Sequence, residues 1–294
     1  MTTTDQSWPS LPLADWQATC DTLHMYTQIL GKIRLMRAPA EPQWAHVALY
    51  VTARGLTTSP MPYEERTFQM DLDLIAHKLL ILVSDGKTRS IDLGASVAAF
   101  YGDVMRALET LRINVPINTK PQEVPDPIPF EKDTVHATYE RKSVERFFQI
   151  LARVDSIMKE HRAPFRGRHT PVHFFWGTFD LAYARFSGRP LTPPPGANLL
   201  MRVGGDAEEI NAGFWPGDAR FPEPAFFAYA YVKPDGLERA AVQPAQAFWS
   251  KELGEFMLRY DDVRAAKSPR DALLTFFRST FQAGFEAAHW DKVQ

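Results

Sequence analysis

Prolines in the middle of the chain set the strongest limit on its fold. Five of them lie close together, at positions Pro116, Pro121, Pro125, Pro127 and Pro129. Because proline has a fixed φ and no backbone N–H, this density excludes a continuous helix or a central strand and is typical of a stiff linker. We therefore divide the chain into a first half (residues 1–114), a proline-rich linker (115–132) and a second half (133–294).

The hydrophobic periodicity has the same order on both sides of the linker. In the first half it predicts a helix over 15–37, strands over 46–56, 67–74, 78–84 and 88–93, and a helix over 96–113. In the second half it predicts a helix over 143–162, strands over 171–189, 225–232 and 254–260, and a final helix that begins at 268. Each half therefore consists of a helix, several strands and another helix.

A short sequence match supports this repeated order. Residues 28–33 (QILGKI) in the first helix align in register with residues 149–154 (QILARV) in the helix after the linker. Three identities in six also arise by chance, so an internal duplication is a hypothesis. We expect an α+β fold of two similar halves, each an antiparallel sheet with flanking helices.

Composition excludes several classes of protein. The 294 residues are 45% hydrophobic and 23% charged, as in soluble globular proteins. A formal net charge of -2, with both signs interspersed, provides no basic field for nucleic acid. The N-terminal segment lacks a signal-peptide pattern, and the longest aliphatic run, residues 79–83, is too short to cross a bilayer. With Cys20 as the single cysteine, we expect a cytoplasmic protein that binds neither nucleic acid nor a membrane.

The long predicted strand of the second half mixes ionisable side chains with aromatic ones. It carries His173, Asp180, Arg185 and Arg189 among six large aromatic residues, a mixture that suits the wall of a ligand cavity. A β-bulge at Gly177 would bring Asp180 onto the face of His173. That pair would then act as a general base with its orienting carboxylate. The alternative is that Asp180 pairs structurally with Arg185 or Arg189.

Candidate ligand-binding residues occur on a strand of the first half as well. His46, Tyr50, Thr52 and Arg54 alternate onto one face. His, Tyr and Arg side chains bind carboxylates or phosphates and move protons, whereas the alternative is a solvated sheet face. We predict that His46, Tyr50 and Arg54 contact the ligand, with Arg54 and Arg185 as anion clamps.

A polar stripe on the first helix extends this candidate site. His24, Gln28 and Lys32 recur every fourth residue and so lie on one side of the helix. The stripe is either a solvated helix face or the lining of a cleft between the halves, where Lys32 holds an anion. We add two aromatic residues to the predicted binding site, Trp176 in the long strand and Trp215 in a rigid aromatic loop that either covers a pocket or is a packed turn.

Signatures of metal or cofactor chemistry are weak or missing. His169 and His173 have a useful metal-ligand spacing only on a helix, and Pro171 between them argues against one. The sequence contains no H-E-x-x-H motif, no P-loop and no G-x-S-x-G elbow. We assign no metal ligand, and the sequence identifies neither a cofactor nor an oligomeric state.

Several motifs resemble those of an uncharacterised bacterial protein family. They occur along essentially the whole chain, at residues 8–12 (WPSLP), 22–25 (TLHM), 50–60 (YVTARGLTTSP), 171–177 (PVHFFWG), 185–189 (RFSGR), 213–216 (GFWP) and 253–256 (LGEF). The resemblance implies a domain of unknown function. It supplies no activity and no catalytic residues.

Two hypotheses for function follow. In the first, the protein is an enzyme without a tightly bound cofactor, and it holds a small polar or anionic metabolite in a cleft between the halves. His173 is then the acid or base, Asp180 orients it, and the polar side chains converge on one cavity. In the second, the protein is a non-catalytic ligand-binding or assembly protein whose charged pairs are structural.

Overall fold

The chain folds into helices packed on two antiparallel sheets. A computed structural model describes residues 8–197 and 199–291. Within these residues it contains six α-helices and two antiparallel sheets of six strands each. This architecture confirms the predicted α+β class.

The strands of the first sheet lie between the helices α1 and α2 in the sequence. The elements of the first half are α1 Leu13–Arg37, β1 Tyr50–Val51, β2 Gly55–Thr57, β3 Met61–Tyr63, β4 Arg66–Asp73, β5 Lys78–Val83, β6 Thr88–Asp92 and α2 Val97–Thr110. The strand order is β1-β2-β4-β5-β6. Strand β3 also pairs with β4. As expected for a helix start, the Ser96 hydroxyl accepts a hydrogen bond from the Ala99 N–H of α2.

The second sheet follows α3 and contains the longest strands of the protein. Its elements are α3 Arg141–Arg162, β7 His173–Phe175, β8 Asp180–Pro190, α4 Leu199–Gly204, β9 Ala207–Trp215, β10 Ala225–Tyr231, β11 Phe248–Ser250, β12 Glu255–Arg259, α5 Tyr260–Arg264 and α6 Pro269–Ala287. The strand order is β11-β12-β10-β9-β8-β7.

The two sheets meet edge to edge at β1 and β7. Just before β1, the Leu49 N–H donates to the Phe174 carbonyl at 2.9 Å, and the Phe174 N–H donates back to the Leu49 carbonyl at 2.8 Å. Helix α1 is buried almost throughout its length, with Leu23, Ile29 and Leu30 fully covered. One hydrophobic core therefore runs through both halves.

Each of the two strands that we predicted to be long is a hairpin, and these two predictions were wrong. The first contains β1 and β2, and the Thr52 hydroxyl closes the turn between them by accepting from the N–H groups of Arg54 and Gly55 at 3.1 Å each. Gly55 is required there, because its φ is +156° and a Cβ would lie 1.9 Å from the Leu72 carbonyl oxygen. The second contains β7 and β8 with a turn over 176–179.

Strand β9 lies in a segment that the sequence pattern did not identify as a strand. We predicted a loop over 213–217, but Gly213, Phe214 and Trp215 form the end of β9 between β8 and β10. The common order of helix, antiparallel strands and helix in both halves is consistent with a duplication. The duplication and the boundaries at 114 and 132 stay predictions.

Candidate functional site

The two faces of the second sheet have different characters, one almost fully buried and the other partly exposed. On β9, Ile210, Ala212 and Phe214 belong to the core shared with the helices. Side chains alternate along a strand, so Glu209 and Asn211 lie on the opposite face. That outer face carries its own smaller apolar clusters, which include Trp215, Phe227, Met257, Ala184 and Phe186.

A cavity of about 240 Å³ opens over the outer face, and we call it the His173 cavity. Strands β7 to β10 form its floor and contribute His173, Phe175, Glu209, Asn211, Tyr229 and Tyr231. Its cover comes from the end of α4 and from the short 3-10 turn Pro42–Trp44 of the first half. The cavity therefore lies between the halves, where the sequence predicted a cleft.

Contacts between the halves hold this cover in place. The Gln43 side-chain N–H donates to Asp206 at 2.8 Å. A Cβ at Gly204 would lie 3.1 Å from the Trp44 ring, so α4 packs closely on the turn. Gln43 and Trp44 both have left-handed φ values, 51° and 59°. Such strain costs on the order of 1–3 kcal/mol per residue and clusters at functional sites.

His173 is the most unusual polar group in the cavity wall. Its side chain is 0% exposed, and neither ring nitrogen has a hydrogen-bond partner within the described ranges. Burial lowers the pKa of His173 to about 4, helped by the positive charges of Arg34 and Arg162. The imidazole is therefore neutral at neutral pH, with one donor and one acceptor unused.

Glu209 brings a carboxyl group that titrates near neutrality. Burial raises the pKa of Glu209 to about 7, the Asn211 hydrogen bond opposes the rise, Asp206 adds to it and Arg168 opposes it. The Asn211 side-chain N–H donates to Glu209 Oε1 at 2.9 Å. A neutral imidazole and a carboxyl group with a pKa near 7 in one cavity are typical of sites that bind or transfer protons.

Asp180 lies on the face of His173, as predicted, but a hairpin and not a bulge places it there. Asp180 is opposite Phe175 and His173 is opposite Ala182, and opposed side chains in an antiparallel pair share a face. The Asp180 carboxylate accepts from the Thr178 hydroxyl. Burial raises the pKa of Asp180 to about 7, Thr178 opposes the rise and Glu123 adds to it.

Neither predicted pairing of Asp180 is present in the described residues. Within residues 8–197 and 199–291, His173 has no hydrogen-bond partner, so no carboxylate there orients it. Arg185 donates to the His161 carbonyl instead, and Arg189 donates to the Ala288 carbonyl at 3.1 Å and pairs with Glu208 at 3.5 Å. Asp180 is thus a half-buried carboxyl group without a basic partner among the residues that the structure describes.

Three further predicted residues do not line the cavity but contact its wall or the segment that covers it. The Tyr50 ring meets the His173 ring edge-on with centroids 5.6 Å apart, and its hydroxyl donates to the Ala45 carbonyl at 3.0 Å. His46 is buried, stacks on Trp44 at 5.7 Å and contacts the backbone of Glu41. The Trp176 indole N–H donates to the Val47 carbonyl at 2.9 Å. Together these side chains fix the segment that covers the cavity.

Three others lie away from the cavity, so the predicted convergence on one site is wrong for them. Arg54 pairs with Asp73 at 2.6 Å, and its side chain is 58% exposed. Arg185 lies on the inner face, with Phe165 and Phe281 against its guanidinium at 5.2 and 4.3 Å from the ring centroids. Trp215 packs on Phe221 and Phe227 in the outer apolar cluster.

The polar stripe on α1 is neither a solvated face nor the lining of the His173 cavity. Gln28 donates to the Gln122 carbonyl at 2.7 Å and accepts from the Gln122 N–H at 2.9 Å. The Lys32 ammonium donates to the Lys120 carbonyl at 2.8 Å, so the predicted anion-binding role of Lys32 has no support. These side chains anchor the linker to the helix.

His24 lines a second cavity of about 760 Å³ beside the linker. Its Nε2 contacts the carbonyl oxygens of Trp176 at 2.9 Å and Gly177 at 3.0 Å. Burial lowers the pKa of His24 to about 4. His24 and His173 therefore belong to different cavities.

Sequence reasoning missed Trp44, Glu209, Asn211, Tyr229 and Tyr231. The signal for the four strand residues was present as a period of two. Glu209 and Asn211 alternate with apolar residues along β9, and Tyr229 and Tyr231 alternate with alanines along β10. Trp44 lies in an irregular turn, which has no comparable pattern.

Two further findings concern the described residues as a set. They contain no group of three or more His, Cys, Asp or Glu side chains placed to hold a metal ion. Across residues 8–197 and 199–291, no helix combines the length and the apolar character needed to span a bilayer.

Comparison with known proteins identifies the family of the chain but no individual relative. Searches of curated proteins and of solved structures found no match. The family of unknown function DUF5996 matches residues 8–294, nearly the whole chain. The chain therefore belongs to the family DUF5996.

Proposed function

We propose that the protein binds a small polar molecule in the His173 cavity. The observation that carries this proposal is the imidazole of His173, which is fully buried at the cavity wall with both nitrogens unpartnered among the described residues. A buried polar atom without a partner costs about 1–3 kcal/mol. A ligand that bonds to these nitrogens removes that cost.

The shape and chemistry of the cavity support the same function. Aromatic and apolar side chains supply most of its wall, and Glu209, Asn211 and His173 supply a few convergent polar groups. This combination is typical of small-molecule sites. The strained Gln43–Trp44 turn over the cavity gives a second indication of a functional position.

An enzyme is the second candidate function. The neutral imidazole of His173 is able to accept a proton, and Glu209, with its pKa near 7, is able to supply or take one. Glu209 replaces Asp180 as the carboxyl partner in this version, since Glu209 lines the cavity together with His173. The predicted cytoplasmic location and the absence of nucleic-acid binding belong to this proposal as well.

A thermal-shift screen of neutral, cationic and anionic metabolites tests the proposal. We expect at least one compound to raise the melting temperature of the wild type and of Arg54→Gln, because Arg54 lies away from the cavity. The same compound has no effect on His173→Leu. If all stabilising compounds act equally on His173→Leu, or if none stabilises the wild type, the proposal fails.

A further inference from the structure

The His173 cavity has an asymmetric distribution of charge. Its wall contains a carboxyl group, Glu209, and among the described residues no lysine or arginine side chain lines it. The remaining polar groups of the wall, including Asn211, Thr170 and the tyrosines, are uncharged. An anion in this space would contact no lysine or arginine side chain of the described lining, and a buried unpaired charge is strongly unfavourable.

Three arginines near the cavity, Arg34, Arg162 and Arg168, are held by other partners. Arg162 donates to the Thr170 carbonyl at 3.1 Å and contacts His169 at 2.9 Å. Arg168 pairs with Asp206 at 3.1 Å and lies over the Phe186 ring at 4.0 Å from its centroid. Arg34 donates to the Thr58 carbonyl and lies over the Tyr50 ring. Each guanidinium group thus already has partners of its own, and Glu209 keeps only the neutral Asn211 side chain as its hydrogen-bond partner among described residues.

Aromatic rings line the same cavity as the Glu209 carboxyl group. Phe175 stands edge-on to the His173 ring with centroids 5.2 Å apart, and Tyr229 stacks on Phe227 at 6.3 Å. Tyr231 lies against the backbone of Gly205, where a Cβ would be 3.5 Å from its ring. The negative faces of aromatic rings attract organic cations, by about 0.5–1 kcal/mol at exposed sites and about 2 kcal/mol or more when desolvated.

The imidazole of His173 favours a cation that carries N–H groups. Because His173 is neutral, one of its ring nitrogens is an acceptor. A primary ammonium group has three donors, enough to reach an imidazole nitrogen and a carboxylate at once. A quaternary ammonium ion would leave these acceptors unused.

We infer that the His173 cavity binds a small organic amine in its protonated form, held by Glu209, by His173 and by the surrounding aromatic rings. This inference rests on the proposed function and assigns the ligand class of the same site. The Glu209 carboxylate supplies the charge, the imidazole supplies a directed acceptor, and the rings exclude water around the ammonium group.

Three compounds with one skeleton test the charge. Benzylamine, benzyl alcohol and benzoate differ at pH 8 mainly in carrying a positive, zero or negative charge. By isothermal titration calorimetry we expect benzylamine to bind the full-length protein at least about tenfold more tightly than benzyl alcohol, and benzoate to bind more weakly than both. Glu209→Gln keeps the shape of the side chain and should remove the preference for the amine over the alcohol.

Glu208→Gln is the matched control, because the neighbouring Glu208 pairs with Arg189 at 3.5 Å on the other face of β9. It should keep the wild-type preference. The inference is overturned if the alcohol binds as tightly as the amine, if benzoate binds most tightly, or if Glu209→Gln keeps the preference. If the alcohol and the amine bind with equal affinity and neither binds to His173→Leu, only the ligand class is wrong and the proposed function stands. When no compound of the three binds at millimolar concentration, the inference fails and the metabolite screen decides the proposed function separately.

Discussion

The ring of Tyr50 meets the imidazole of His173 edge-on, with centroids 5.6 Å apart and the planes at 76°. Tyr50 begins β1 and His173 begins β7, the two edge strands at which the sheets meet. The junction between the halves is therefore also one wall of the His173 cavity. A change of the Tyr50 ring should therefore affect both the contact between the sheets and the wall of the cavity.

The first prediction concerns two buried histidines with opposite surroundings. His173 has no hydrogen-bond partner among described residues, whereas His161 bonds to the Tyr183 hydroxyl and contacts Arg185. His173→Leu should leave the free energy of unfolding unchanged or raise it by about 1–3 kcal/mol, because it removes two unsatisfied buried atoms. His161→Leu should lower it by about 1–3 kcal/mol.

Urea denaturation of the ligand-free proteins measures both changes. The comparison is matched, since both substitutions put the same apolar side chain at a buried histidine. If His173→Leu destabilises the protein as much as His161→Leu does, the imidazole of His173 has a structural role that the structure does not show.

The second prediction concerns the contact of Gly31 with Trp176. A Cβ at Gly31 would lie 2.2 Å from the Trp176 ring, and this ring holds the segment that covers the cavity. Gly31→Ala should lower the free energy of unfolding by about 1–3 kcal/mol or more, as overpacking does. A Cβ at Gly102, in α2, would meet only the flexible end of the Arg106 side chain. Gly102→Ala should therefore raise the free energy of unfolding by about 0.4–1 kcal/mol. Equal effects in thermal denaturation would show that the helix tolerates a shift at Gly31.

The third prediction concerns the linker. Gln28 is fully buried and bonds both ways with the Gln122 backbone, whereas Gln149, at the matching place in α3, is exposed. Gln28→Ala should lower the free energy of unfolding by about 1–3 kcal/mol and speed proteolysis within residues 115–132. Gln149→Ala should change the stability by less than about 0.5 kcal/mol. Equal proteolysis rates for the two variants would rule out an anchoring role for Gln28.

The fourth prediction concerns the pH dependence of stability. Burial raises the pKa of Asp180, Glu209 and Glu255 to about 7 in the folded protein. The folded state then binds more protons than the unfolded state between about pH 4 and 7. The stability that these groups contribute is complete below about pH 4 and is lost as the pH rises through about 7.

Buried histidines act in the opposite direction at lower pH. Burial lowers the pKa of His24 and His173 to about 4 and that of His161 to about 3. Their contribution grows with pH up to the unfolded value of about 6.5 and is constant above it. From about pH 6.5 to 8.5 the histidine contribution only completes its rise, whereas the carboxyl groups lose theirs. Burial also raises the pKa of the Cys20 thiol, which acts in the same direction as the carboxyl groups. The stability should therefore fall.

Urea denaturation at pH 6.5 and 8.5 measures this fall. Glu255→Gln should reduce it by removing one of the three groups, and Glu109→Gln, at an exposed position of α2, should leave it unchanged. A stability that rises from pH 6.5 to 8.5 would contradict the assignment of buried, proton-binding carboxyl groups.

The four long helices α1, α2, α3 and α6 were predictable from the sequence because local signals define them, whereas the short helices α4 and α5 were not predicted. Apolar periodicity and a capping serine at position 96 placed α2 within three residues of its observed ends. The hairpins β1–β2 and β7–β8 were not predictable in this way, because the apolar alternation continues across their tight turns. The Thr52 turn, for example, is closed by a hydroxyl group that also suits a strand.

The same turns explain which site residues were predicted correctly. The turn over 176–179 makes Phe175 pair with Asp180, so even-numbered residues of β8 share a face with His173. An uninterrupted strand would have put Arg185 on that face, whereas the observed register sends it into the helical core. Glu209 could not be placed beside His173 from sequence, since the position of β9 in the sheet depends on long-range pairing.

The imidazole nitrogens of His173 provide the most direct test of the central claim, that this cavity is a ligand site. Protein with ¹⁵N-labelled histidine would be titrated with the most stabilising compound of the metabolite screen, and His173→Leu would assign the signals. We predict that both His173 nitrogen shifts change on binding while those of His161 do not. A compound that stabilises the protein but leaves the His173 nitrogen shifts at their ligand-free values would contradict the claim.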